Sequence, residues 1–205
     1  MILNNQKKRD YYIIAILILL AIVGIILISF ISSKWGIGLS PDSVFYIAAA
    51  ENILNGNGVT VLYNDNGTIP LNLWIPSDSE AEILVLRWPP LYPAVLSLSG
   101  ILGLNLIIGA RIVSILLFGA NIFLIGIIIY KFTRSIWLAI FSSVIMITSD
   151  VLLAVHSYAH SESLFILFGF LGLFLLISNL KNNLRITYIT ISFCLFSNAL
   201  NLRFI

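Results

Sequence analysis

Lys7-Lys8-Arg9-Asp10 is followed by Tyr11-Tyr12-Ile13-Ile14-Ala15-Ile16-Leu17, and no charge appears again until Lys34. The uncharged run from Tyr11 to Ser33 is long enough to cross a bilayer, because a helix needs about 20 apolar residues to span the hydrocarbon core. A cleaved signal peptide is the competing reading. Its apolar region would be roughly 7–15 residues long and would end at a small-residue cleavage site. The run here is longer, and Ser29-Phe30-Ile31-Ser32-Ser33 is a poor cleavage site. The sequence therefore predicts a signal anchor whose basic flank stays in the cytoplasm.

The rest of the 205-residue chain has the same character. Apolar residues make up 60% and charged residues 10%, against about 25% charged in an ordinary soluble domain. A net charge of +2, scattered along the chain, gives no footing for a nucleic-acid partner. Cys194 is the single cysteine, so an intrachain disulfide is excluded, and its apolar surroundings mark it as a packing residue.

Charge then sets the topology. Six of the nine acidic residues (Asp42, Glu51, Asp65, Asp78, Glu80 and Glu82) lie in residues 34–87, opposed only by Lys34 and Arg87. From Trp88 to Tyr130 the chain is apolar except for Arg111. If this stretch crosses once, at about 112–130, then Lys131, Arg134, Lys181 and Arg185 all fall on the cytoplasmic side; if it crosses twice, they all face outward, against the positive-inside rule. One crossing is the consistent reading. We expect an all-α integral membrane protein with spans at about 11–33, 112–130, 136–152, 163–180 and 186–205, forming one transmembrane domain. The external loop, 34–110, would carry short in-plane helices and a small hairpin. Pro89, Pro90, Pro93, Gly100 and Gly103 suit a broken, in-plane segment better than a straight span. The last apolar segment closes on Arg203 and Ile205. We read it as belonging to the front part of a longer polypeptide, which alone would lack the machinery of a complete enzyme.

This topology gathers Asp42, Arg87, Arg111, Asp150, His156, His160, Glu162 and Arg203 at the outer face. Ser40-Pro41-Asp42-Ser43 is a helix start: serine at the N-cap, proline at the first helical position, and an acid in the first turn. Asn55-Gly56-Asn57-Gly58 ends that helix. Asp42 either complements the helix dipole or serves chemistry. Val59–Tyr63 and Thr68–Leu71 flank the turn Asn64-Asp65-Asn66-Gly67, the pattern of a hairpin; Asn66-Gly67-Thr68 also reads as a glycosylation sequon. His156 and His160 are four apart and would share a helix face, a spacing that can hold a metal. Glu162 either caps the next helix or has a functional role. Arg111 and Arg203 are either snorkelling anchors or phosphate ligands, since guanidinium groups match phosphate geometry.

Several of these pieces resemble a known family. They are Ser40-Pro41-Asp42-Ser43-Val44-Phe45-Tyr46, Asn52-Ile53-Leu54-Asn55-Gly56-Asn57-Gly58, Trp88-Pro89-Pro90-Leu91-Tyr92-Pro93, Ala110-Arg111-Ile112-Val113, His160-Ser161-Glu162-Ser163-Leu164-Phe165 and Asn198–Arg203. In this order they resemble the N-terminal part of the GT-C glycosyltransferases, nearest to the protein mannosyltransferase-like and aminoarabinose transferase-like branches. The resemblance implies an inverting enzyme in the plasma membrane. It would move a sugar from a polyprenyl-phosphate carrier to a lipid, glycan or protein acceptor on the outer face. Asp42 would be general base or metal ligand, and Glu162 a second catalytic acid. Tyr46, Arg87, Arg111 and Arg203 would bind substrate. A divalent metal ion is the one cofactor it raises, with Asp42, His156 and His160 as candidate ligands. Arg87-Trp88 departs from the acidic-basic pair that precedes the double proline in some branches. Two other classes share the span pattern: a lipid or polysaccharide transporter component, and a non-catalytic membrane scaffold. A transporter would favour ionisable groups at mid-membrane, and a scaffold an uncharged outer loop.

Overall fold

A computed structural model describes residues 2–62, 82–84 and 89–180. Helix α1, Ile2–Trp35, contains the whole first apolar run. It is followed by α2 (Pro41–Leu54), strands β1 (Thr60–Leu62) and β2 (Glu82–Leu84), α3 (Leu91–Ile101), α4 (Leu106–Thr133), α5 (Ile136–Thr148), α6 (Asp150–Ser157) and α7 (Glu162–Leu180). Among the described residues two helices, α1 and α4, are long and apolar enough to cross a membrane, and α5 with α6 makes a third crossing if the bent pair counts as one. The expected span at 186–205 lies outside the described residues.

The start of α2 follows its sequence. Ser40 Oγ accepts a hydrogen bond from the Ser43 N–H at 3.2 Å, and the Ser40 N–H donates back to Ser43 Oγ at 3.0 Å. This reciprocal pair satisfies two N–H groups that a bare helix end would leave open. Gly56, at φ +82° just past the C-cap Asn55, takes the left-handed conformation that ends the helix.

β1 pairs antiparallel with β2, Val61 opposite Ile83; residues 68–71, the run expected to return opposite it, lie outside the described residues. Two expectations are corrected. First, α4 begins earlier than the expected span: Asn105 Oδ1 accepts from the Ile107 N–H at 2.9 Å and starts α4 there, six residues before 112. Second, the span expected at 136–152 breaks at Ser149, and α5 and α6 meet at 59°. Ser149 ends α5 in extended conformation and caps α6 through its own hydroxyl, because serine offers the backbone an alternative partner to the helix ladder.

α1 and α4 pack closely. Ile13, Leu17, Ala21 and Ile28 are buried and recur along one helix face. A Cβ added to Gly24 would meet Ile122, and one added to Gly119 would meet Ile25. Such small residues let two apolar helices approach where lipid removes the hydrophobic drive for contact. The outward faces are apolar too, including Leu19, Ile26 and Phe30 of α1 and Trp137 and Phe141 of α5, all at least 60% exposed. An apolar outer surface over an apolar interior suits lipid as the solvent, not water.

The bundle has two chemically distinct ends. At one, the Tyr130 hydroxyl donates to the Asp10 carboxylate and Lys131 Nζ donates to Ser178 Oγ at 3.3 Å. This joins the start of α1, the end of α4 and the last turns of α7, beside Lys7, Lys8, Arg9 and Arg134. At the other, Arg111 Nε donates to Ser32 Oγ at 2.9 Å and its Nη2 to the Ser29 carbonyl at 3.3 Å. That clasp ties the start of α4 to the end of α1.

Candidate functional site

At the second end, the link between α1 and α2 lies beside the link between α6 and α7. The Gly38 N–H donates to the Ser157 carbonyl at 2.7 Å, and the Ala159 N–H donates to the Gly38 carbonyl at 3.0 Å. A Cβ on residue 38 would sit 2.5 Å from the Tyr158 ring, so only glycine allows this approach. The bridge brings residues 120 apart in sequence together. Ser40 Oγ lies 2.6 Å from His160 Nε2, Tyr158 stacks on the His160 ring at 5.3 Å, and His160 Nδ1 lies 3.8 Å from Glu162 Oε2.

Asp42 stands two residues after Ser40, exposed on the first turn of α2. Among the described residues its carboxylate has no hydrogen-bond or ion-pair partner. Glu162 Oε2 is buried and accepts no hydrogen bond from any described group. The two acids that the sequence marks as catalytic candidates thus fall at one end of the bundle, on different helices, with uncommitted oxygens.

A layer of hydroxyls lies behind them. Tyr46 and Ser161 share a hydrogen bond of 2.8 Å. Tyr46 meets Tyr92 edge-on, ring centres 5.0 Å apart. Tyr92 is fully buried and its hydroxyl makes no well-aligned hydrogen bond among the described residues. Burial pushes this phenol well above its usual range, opposed in part by the Ser114 hydroxyl and reinforced by Tyr46 and Glu162. Tyr46, Ala50, Tyr92, Leu96, Ala110, Leu117, Ala159 and Leu164 form the apolar floor.

His156 takes no part in this group. α6 ends at Ser157 and Tyr158 is extended, so His156 and His160 do not share a helix face. The His156 ring is fully buried against Phe118. The Leu152 carbonyl at 2.8 Å requires the proton on Nδ1, which leaves Nε2 to accept from Asn121 Nδ2 at 3.0 Å. Both nitrogens are therefore committed. Among the described residues no three His, Cys, Asp or Glu side chains are grouped to hold a metal. Arg111 gives two of its N–H donors to the α1 clasp, and Arg87 and Arg203 lie outside the described residues.

Sequence reasoning missed Ser40, Ser161 and Asn121. Asn121 is fully buried near the middle of α4, and its Nδ2 also donates to the Ser163 carbonyl at 3.1 Å. A lone asparagine in an apolar helix was the available signal, since a buried amide must find partners. Asn121→Ala strips partners from His156 and Ser163 at once. We expect a stability loss of about 1–3 kcal/mol, measured as a lower thermal unfolding midpoint in detergent.

No family model, curated protein or solved structure matches this chain.

Proposed function

We propose that the chain belongs to a membrane glycosyltransferase that moves a sugar from a polyprenyl-phosphate carrier to an acceptor on the outer face, with inversion. The observation that carries this reading is Asp42: an exposed carboxylate without a described partner, held on a capped helix start at the end of the bundle opposite Lys7, Lys8, Arg9, Lys131 and Arg134. In this reading the basic end and the N-terminus are cytoplasmic, as the charge bias favours, and Asp42 faces outward.

The chemistry fits the groups. Inverting transfer needs one base at the attacking oxygen, and Asp42 supplies it. The leaving group is already a phosphate, so it needs its developing charge stabilised more than it needs a proton. Arg87, Arg111 and Arg203 are the arginines proposed for that task, Arg111 through the donors that its α1 clasp leaves over. The Tyr46–Ser161 pair offers hydroxyls to a sugar or acceptor. Asp42 is also the described residue best placed to accept a divalent metal.

The reading is tested in native membranes with radiolabelled polyprenyl-phosphate mannose and polyprenyl-phosphate aminoarabinose as donors. Deleting the reading frame should remove label transfer from one of them, and restoring it should bring the transfer back. Equal transfer from both donors with and without the gene would reject the proposal.

A further inference from the structure

We infer that Ser40, His160 and Glu162 form a second reactive centre, a serine nucleophile with its base and orienting acid, that cleaves the acyl ester of a membrane lipid. The three side chains stand in the order such chemistry requires: nucleophile to base at 2.6 Å and base to carboxylate at 3.8 Å. The second distance is longer than a hydrogen bond, and catalytic contacts of this kind commonly tighten only when substrate is bound.

The protonation pattern is consistent. For Nε2 to accept the Ser40 proton, the imidazole must carry its own proton on Nδ1. That nitrogen lies 3.8 Å from Glu162 Oε2, which is buried and accepts no hydrogen bond from described residues. Stacking on Tyr158 holds the ring plane. Two further groups support charge on Ser40 Oγ as it reacts: the Ser43 N–H at 3.2 Å and the Ser43 hydroxyl at 3.1 Å, both at the positive end of α2. Next to them, the Asp42 N–H belongs to the first turn of α2, whose N–H groups have no intrahelical acceptor, and is assigned here as the oxyanion donor. Ser40 and His160 are only half-buried, so a substrate can reach them.

The surroundings indicate which ester. Trp35, Leu39 and Val44 are about half or more exposed around the same helix start. Apolar side chains exposed at the end of a membrane bundle lie where lipid ester linkages lie. As Ser40 Oγ bonds to the ester carbonyl carbon, its proton passes to His160 Nε2 and the carbonyl electron pair moves onto oxygen. Collapse of that oxyanion breaks the ester C–O bond, and the departing alcohol takes the proton from His160. Water then attacks the acyl-serine, gives a proton to His160, and Ser40 leaves with it. One water is consumed, and a fatty acid and an alcohol are formed.

The test is active-site labelling of the protein in its membrane with an alkyl fluorophosphonate, mapped by peptide mass spectrometry. The adduct should lie on Ser40, and His160→Gln should slow labelling by about 100-fold, the lower range of a general base's contribution. Because His160→Gln also removes a contact to the α2 cap, Glu162→Gln is the second variant. It breaks no described hydrogen bond and should still slow labelling. Reconstituted with acyl-labelled phosphatidylglycerol vesicles, the wild-type protein should release fatty acid and the slowly labelled variants should not. An unlabelled Ser40, a rate that His160→Gln and Glu162→Gln leave unchanged, or vesicles without fatty-acid release would overturn the inference. None of these readouts uses a sugar donor, so they stand or fall apart from sugar transfer.

Discussion

Asp42→Asn is expected to lower sugar transfer by at least about 100-fold, the contribution of a positioned general base, while the protein stays folded in the membrane. The amide keeps the size of the carboxylate and cannot take a proton from an acceptor hydroxyl. The competing role, complementing the dipole of α2, is worth about 0.3–1 kcal/mol and would leave transfer nearly intact. Initial rates and thermal unfolding measured on one preparation separate the two. A rate within a few-fold of wild type, with a slightly lower unfolding midpoint, would assign Asp42 to the dipole alone.

The largest structural effect is expected at Gly126. A Cβ placed there would lie 2.4 Å from a Leu17 methyl and 2.5 Å from the Ser143 hydroxyl. α1, α4 and α5 meet at this point, and Ser143 is tied to the Ile122 carbonyl at 3.1 Å. Gly126→Leu must push two helices away from α4 together. Overpacking of a well-filled core costs about 1–3 kcal/mol and at times more, and here the strain acts on two interfaces. The expected result is loss of the monodisperse species in detergent and a steep fall in membrane accumulation. Gly172, with open space around it, is the control: Gly172→Ala should behave as wild type.

The parts of this fold that were legible in the sequence are those set by local rules. The charge-free run from Tyr11 became α1, the run around Arg111 to Tyr130 became α4, and Ser40-Pro41-Asp42 became a capped helix start. Each depends on residues within a few positions of one another. The break at Ser149 was not legible, because a serine in an apolar run is compatible with an unbroken helix, and only its hydroxyl turning to the next N–H decides otherwise. The pairing of β1 with β2 was not legible for a related reason: turn residues announce a reversal without naming every strand that returns.

The candidate site divides the same way. Asp42 and Glu162 could be named from their places at helix starts. The contact of Ser40 with His160 could not, because it depends on a glycine at 38 meeting a tyrosine at 158, and no periodicity links those positions. His156 shows the converse error. Its spacing from His160 suggested a shared helix face, but α6 stops between them and Asn121 draws His156 into the bundle. Arg111, a candidate phosphate ligand on residue type, is held by Ser32 and the Ser29 carbonyl.

The central claim is that the Asp42 end of the bundle and the end carrying Lys7, Lys8, Arg9, Lys131 and Arg134 lie on opposite sides of one membrane, with Asp42 outside. It is tested by single-cysteine labelling in a Cys194→Ser background, with cysteine placed at exposed Asn57 beyond α2 or at exposed Thr133 at the end of α4. A membrane-impermeant maleimide added to intact cells should label Asn57→Cys at once and Thr133→Cys only after the membrane is opened. Labelling of Thr133→Cys from outside with Asn57→Cys protected, or of both from the same side, would contradict the account.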